Sequence, residues 1–375
     1  MAEYYSNSIS RKRRRKSRAY SGKTLALFLL DIVVTLAMAL LLFATVATII
    51  CQYISPEKSG VLSTLVLGAP IFYLLDIVVM FYWVVRWRWY RAAVMIGVVV
   101  LGLFYLSRYY KIDIDRHYDT SFKEYRHIKV MTYNVFEGKE AELPAYIKRH
   151  NPDILCLQEM NIGTDNWNTL TETYKTTYKP KVSTSGNQIL TKYRIIRSGE
   201  IEGLERKSAV WADLKIKDDT VRVVSLHLKS TSIRPEDTQF LEKHQYLLDS
   251  QRESKLRSIV GRLTENNCKR AVQAEAVADF LAQSPYMTIV CGDFNDVPLS
   301  YTYNRIARNL DDTFSKMADG FAYTYNTKYR LLRIDNILVS PSVKVVSYEV
   351  DNDVDFSDHY PVIVRLNLPV REKID

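Results

Sequence analysis

Only four cysteines occur in 375 residues, and none forms a CxxC pair or a zinc-ligand spacing. A disulfide framework and a structural zinc site therefore have no support. Cys156 in DILCLQ and Cys291 in TIVCGD lie in apolar, strand-like runs and read as small buried residues. Also lacking, over most of the chain, is a basic surplus. Of 51 Lys/Arg and 42 Asp/Glu, 15 and 6 lie in residues 1–117, so this segment carries the whole net charge of +9. Residues 118–375, with 36 of each, are formally neutral. A neutral region has no broad basic footprint for nonspecific nucleic-acid binding, although a local patch can suffice.

What is present first is apolar. A basic block, RKRRRKSR at 11–18, precedes the run TLALFLLDIVVTLAMALLLFATVATII at 24–50. A signal-peptide core is only ~7–15 residues long. At ~1.5 Å per residue this run crosses a ~30 Å hydrocarbon layer. A second span covers 61–85, and a third, shorter one is AAVMIGVVVLGLFYL at 92–106. Trp87, Trp89 and Tyr90 precede the third and Tyr109 and Tyr110 follow, as in an interfacial aromatic belt. The N-terminus and the 86–91 loop RWRWYR are basic, whereas the 51–60 loop has one Lys, which places the first two in the cytoplasm. Three spans put the C-terminal region outside the cytoplasmic membrane; two put it inside. The expected layout is a cytoplasmic tail at 1–23, a multi-pass membrane region with three helices (about 24–50, 61–85 and 92–106) at 24–110 and a large C-terminal domain at 118–375.

The hexapeptide LLDIVV occurs twice, at 29–34 and 74–79, and sets Asp31 and Asp76 inside spans. An ionisable residue there costs ~2.5–3.5 kcal/mol on insertion scales. Each acid either marks a function or fastens helices through a polar contact.

From about residue 118 the pattern changes to short strands and helices. Strand-like runs are 127–135, 153–160, 187–196, 209–216, 221–228, 287–294, 334–340, 343–350 and 359–368. Helical patterns cover 139–149, about 237–264 and 269–283. So many strands suggest two packed sheets flanked by helices. Polar residues end the strands: Asn134, Glu159, His227, Asp293, Asn295, Asp335, Asp358 and His359. Each alone reads as a cap or turn residue; together they point to one shared cavity. Carboxylate ligands without cysteine suit a hard cation such as Mg²⁺ or Mn²⁺. Two histidines beside carboxylates suit proton transfer and charge neutralisation. The set fits in-line water attack on phosphorus.

The motifs TYNV, LQE, SLHL, GDFN, RID and SDH, in this order over 127–368, resemble the endonuclease/exonuclease/phosphatase superfamily. That resemblance implies an α/β four-layer sandwich of two packed mixed β-sheets, with strand ends forming a divalent-metal site. It implies Glu159 as principal metal ligand, helped by Asn134 and Asp358. Asp293 would orient or deprotonate the attacking water, and Asn295 would hold the phosphate. His359 would meet the phosphate as a charged donor, fixed by Asp335, with His227 as the second phosphate-side histidine. Asn336 departs from the aromatic that often follows the Asp. Gly186–Leu190 matches a further motif, read as structural support.

Members of the superfamily cleave nucleic acids, phospholipid headgroups or inositol phosphomonoesters, and loops decide which. The segment 231–268 carries Leu241, Leu247, Leu248, Leu256, Ile259 and Leu263 at near-helical spacing, as a packed helix or a membrane-facing lid would. YKTTYKPK at 174–181 is either a solvated face or a phosphate contact. A membrane-anchored, metal-dependent phosphoesterase acting on a lipid or small phosphoester is the leading expectation, with the bilayer as partner. An extracytoplasmic nuclease and a catalytically silent binding protein are the alternatives.

Overall fold

A computed structural model describes residues 22–111, 125–174, 176–177, 185–205, 208–233, 236–237, 240, 249–326 and 330–369. The basic block at 11–18, most of the 174–181 cluster, and Leu241, Leu247 and Leu248 lie outside the described residues.

The N-terminal elements are helical: α1 (Gly22–Cys51), α2 (Gly60–Thr64), a 3₁₀ turn at Leu65–Gly68, α3 (Ala69–Val85) and α4 (Trp89–Leu106). Two stretches are long and apolar enough to cross a membrane, Leu25–Cys51 and Gly60–Val85; Trp89–Leu103 is a shorter apolar helix. Leu36, Leu40, Phe43, Val78 and Phe81 are exposed on these helices. So wide an apolar face calls for a membrane or a partner.

Both acids of the repeated hexapeptide bond across helices. Arg86 donates to Asp31 through Nε and Nη2, both at 2.9 Å, and Tyr82 Oη donates at 2.6 Å. Thr45 Oγ1 donates to Asp76 Oδ2 at 2.6 Å. Each copy of LLDIVV thus supplies a polar bolt between α1 and α3, which is the fastening role. Asp31→Leu removes three charge-assisted bonds and is expected to cost about 1–3 kcal/mol. Thermal melting in detergent checks this, and Asp31→Asn, which keeps an acceptor for Tyr82, is expected to lose less.

The strands are β1 (Tyr110–Lys111), β2 (Tyr125–Glu137), β3 (Ile154–Asn161), β4 (Thr176–Thr177), β5 (Ser185–Thr191), β6 (Arg194–Glu200) and β7 (Ala209–Ile216). They continue as β8 (Asp219–His227), β9 (Met287–Asp293), β10 (Asp311–Asp312), β11 (Gly320–Phe321), β12 (Asp335–Val339), β13 (Lys344–Val350) and β14 (Val362–Pro369). One six-stranded mixed sheet has the order β13-β14-β2-β3-β5-β4 and the other β10-β12-β9-β8-β7-β6. Their inner faces share a core that includes Val130, Cys156, Val223, Cys291, Ile337 and Val364. Helices Leu143–His150 and Asp165–Thr173 cover the outer face of the first sheet, and Asp249–Ala282 that of the second.

β2 runs parallel to β3 and β8 parallel to β9, while β14 and β12 run antiparallel to β2 and β9. The C-terminal ends of the four parallel strands and the N-terminal ends of β12 and β14 therefore lie at one edge. Two expectations need correction. The run 187–196 is two strands, β5 and β6, in different sheets. A turn in which Tyr193 N–H donates to Thr191 Oγ1 at 3.1 Å separates them. The helices expected either side of 265–268 are, over the described residues, one helix. Asn266 and Asn267 do not break it, because their side chains bond outward to Thr231 O and Ser63 Oγ rather than to their own backbone.

The helical region docks on this edge. Cys51, Val66, Ala69, Tyr73 and Tyr109 pack with Val297, Leu299 and Ile334.

Candidate active site

β8 and β9 stay paired up to their ends. Gly292 has φ +131°, and a Cβ there would lie 2.0 Å from Leu226 O. Only glycine lets the strands meet with His227 opposite Asp293. Beyond it Asn295, at φ +51°, closes a turn whose amide donates to Asp293 Oδ1 at 2.8 Å. Asn295 Nδ2 donates to Asp293 Oδ2 at 2.9 Å and to Leu228 O at 3.0 Å. Asp293 is buried, and His227 Nε2 and His359 Nε2 each lie 3.8 Å from its Oδ2. Burial pushes its carboxyl above the ordinary range, as does Asp335, against the pull of His359 and His227.

His359 Nδ1 lies 2.8 Å from Asp335 Oδ2, and the Tyr325 ring sits 4.9 Å from its ring centre. Burial alone would lower the His359 pKa, but the Asp335 and Asp293 carboxylates outweigh it and raise it to about 10. The imidazole is therefore a cation at neutral pH.

Glu159 takes φ +56° where the pairing of β3 shifts register against β5. Such a bulge turns a side chain out of the ladder. Its Oε1 accepts from Asn134 Nδ2 at 3.0 Å and lies 3.4 Å from His227 Nε2. Asn134 Oδ1 accepts from Phe136 N–H at 3.3 Å, so its amide presents NH₂ to Glu159 and, at 3.3 Å, to Asp293. Asn134, Glu159, His227, Asp293, Asn295, Asp335 and His359 form one connected group. Asp358 is adjacent in sequence but exposed, with Oδ1 3.3 Å from Ser357 Oγ.

Asn336 is buried; its oxygen accepts from Arg333 at 2.8 Å and its NH₂ donates to Ile334 O. Gln158, beneath the site, donates to Ser225 Oγ at 3.1 Å, and Ser225 lies 3.5 Å from Asn187 of the 186–190 motif. Sequence reasoning missed Tyr325, which lies in no strand-like run, and Ser357, whose Oγ sits 2.7 Å from Asn134 O.

The donors fit a hard divalent cation. Asp335 Oδ1 is buried with no hydrogen-bond partner among the described residues. The Glu159 side chain is 34% exposed, so its carboxylate keeps a free side. Ligand atoms of Asp293, Asp335 and His359 lie within 4.8 Å of one another. Carboxylate oxygens are the donors such a cation prefers.

A profile described as "Endonuclease/Exonuclease/phosphatase family" matches residues 131–359, more than half of the chain. A second, described as a domain of unknown function (DUF8431), matches residues 28–109. No curated protein matches. Among solved structures, an endonuclease/exonuclease/phosphatase family protein from Bacteroides thetaiotaomicron is similar at 17% identity, with 67% of this chain and 99% of that chain covered and a TM-score of 0.47. A mannosyl-6-phosphatase from the same species is similar at 17% identity, 64% and 99% coverage and a TM-score of 0.44. A 3′ phosphatase from Neisseria, bound to a product DNA hairpin, is similar at 18% identity, 63% and 98% coverage and a TM-score of 0.47. By the profile match over 131–359, the chain belongs to the endonuclease/exonuclease/phosphatase family of divalent-metal-dependent phosphoester hydrolases.

Proposed function

We propose that the protein is a membrane-anchored phosphoesterase that hydrolyses a phosphodiester or phosphomonoester of a lipid or small molecule by in-line water attack. One observation carries this reading: a buried imidazolium, His359, is gripped by Asp335 at 2.8 Å and aimed past Asp293 at 3.8 Å. His359 then meets the phosphate as a charged donor, with Asp335 fixing its ring. Asp293 orients and deprotonates the water, and the raised affinity of its carboxyl for a proton suits that task. Asn295 would hold a phosphate oxygen by releasing its NH₂ bond to Asp293 Oδ2 while keeping the one to Leu228 O, and His227 would add a second imidazole on the phosphate side. Glu159 would be the principal ligand for Mg²⁺ or Mn²⁺, helped by the exposed Asp358. A bound cation would draw charge from the phosphate oxygens. Asn134 sets the Glu159 carboxylate through its NH₂; a ligand role for its oxygen needs the amide turned over.

The division is a tail at 1–23, a three-helix membrane region at 24–110 and a four-layer α/β sandwich at 118–375. Leu25–Cys51 and Gly60–Val85 are long and apolar enough to span, and the three-pass reading adds the shorter apolar helix Trp89–Leu103. The Arg88–Arg91 turn faces Phe28 and Asp31 near the start of α1. The other end of α4 reaches the sheets, where Arg108 donates to Pro298 O at 3.0 Å. On a three-pass layout, a catalytic part opposite the basic turn would lie outside the cytoplasmic membrane. A reporter fused after Asp375 tests this, and a cytoplasmic signal rejects it.

The activity test is a Mg²⁺-dependent panel on the full chain in detergent, with bis-p-nitrophenyl phosphate, sphingomyelin-like and phosphoinositide lipids, DNA and RNA. Turnover that survives chelation rejects the mechanism. Preference for plasmid DNA with steep salt dependence points to a nuclease. Glu159→Gln is expected to raise the Mg²⁺ concentration for half-maximal rate by about 10–100-fold.

A further inference from the structure

We propose that the N-terminal helices are a working wall of the active site and act on it through Arg270, a positioning residue for Asn295 and His227. The inference rests on the roles proposed above for those two residues. Arg270 lies in the helix Asp249–Ala282 and is 1% exposed. A guanidinium buried so deeply is tolerated only when its donors are matched. Its Nη1 donates to Lys229 O at 2.8 Å, and its Nε lies 3.4 Å from Asp296 Oδ2. Lys229 is two residues beyond His227, and Leu228 O between them accepts from Asn295 Nδ2. Asp296 directly follows Asn295 and accepts from Val297 N–H at 3.0 Å. One cation therefore braces both strand ends from behind.

The brace continues to the membrane helices. Arg270 Nη2 donates to Asn267 Oδ1, which directs the Asn267 NH₂ the other way, to Ser63 Oγ at 2.7 Å. Ser63 belongs to α2, at the start of the second long apolar stretch. Ser63, Asn267, Arg270 and Asp296 are all buried. The helices meet tightly, since a Cβ on Gly60 would fall 2.1 Å from Thr264 Cγ2. A second strut runs from α4: Arg108 holds Pro298 O, and Arg333, two residues before Asp335, donates to Arg108 O at 3.1 Å. A simple tether requires none of these bonds. Here the bundle grips the loop after Asp293 at both ends.

Two readouts on the full chain in detergent test the brace. Amide hydrogen exchange over 227–231 and 293–299 reads it without the chemistry; kcat and KM with bis-p-nitrophenyl phosphate read its effect on turnover. Asn267→Ala is expected to speed exchange in both segments. It is expected to lower kcat by about tenfold or more with KM nearly constant, as loss of orientation does. Asn267→Asp keeps an acceptor for Arg270, and Ser63 can donate to it by turning its hydroxyl away from Gly60 O, so it should lose less than Asn267→Ala. Ser63→Ala carries the test if Asn267→Ala does not fold. Ser63→Ala and Arg270→Lys should combine non-additively in kcat. Unchanged exchange at 293–299 in Asn267→Ala or Ser63→Ala overturns the brace. An inactive wild-type chain overturns the hydrolase reading instead, and faster exchange in these variants would still uphold the brace.

Discussion

Asp293→Asn is expected to lower kcat by about 10³-fold while the chain stays folded, a transition-state loss of about 4 kcal/mol. The substitution keeps the shape of a side chain packed at 1% exposure. One oxygen can still accept from Asn295 N–H, the 2.8 Å bond that holds the turn. What disappears is the basic oxygen between two imidazoles, each 3.8 Å away. An amide takes no proton from water, and it no longer offsets the charge on His359. The NH₂ introduced at Oδ2 would also face the Asn295 and Asn134 amide nitrogens, now donors at 2.9 and 3.3 Å. That clash is expected to cost about 1–3 kcal/mol of stability, enough to shift melting but not to unfold a chain of this size. Single-turnover kinetics with a circular-dichroism melt separate the two effects. A kcat within about tenfold of wild type would remove Asp293 from proton transfer.

How much of this could be read from residues alone follows from which contacts are local. β9 (Met287–Asp293) falls within the expected 287–294 because a strand buried on both faces leaves a continuous, mostly apolar run. Asn134, Glu159, His227, Asp293, Asn295, Asp335 and His359 stand out because a polar residue at the end of such a run is conspicuous, and the structure brings these seven together. The pairing of sheets is not local. Nothing within 187–196 says that the chain changes sheet at Thr191, because that choice belongs to the partners of β5 and β6. The Asp31 and Asp76 ambiguity has the same origin: Arg86 and Thr45 decide it from 55 and 31 residues away. Nothing in the sequence singles out Arg270. Its significance lies in what the fold places around it.

The remaining large effect concerns charge on His359. Asp335→Asn is expected to turn a pH–rate profile that is level through neutrality into one that falls across it. The ordinary His value is 6.5, burial pulls it down, and the carboxylates of Asp335 and Asp293 carry it to about 10. The folded-state value is thus raised above the unfolded one. The stabilisation this gives is complete below pH 6.5 and is lost as pH rises through about 10. Without the Asp335 charge, burial acts against fewer opposing groups, and the imidazolium is lost at lower pH. The variant should work best near pH 6 and lose about 10²-fold relative to wild type by pH 8, the scale of one positioned charged donor. Its melting temperature should begin to fall at lower pH than that of wild type. His359→Asn, which carries no charge at any pH, should be slow throughout and show no such slope. If Asp335→Asn and wild type give parallel profiles between pH 6 and pH 9, the imidazolium is not what stabilises the transition state, and charge neutralisation would have to come from His227 at the opposite side of Asp293.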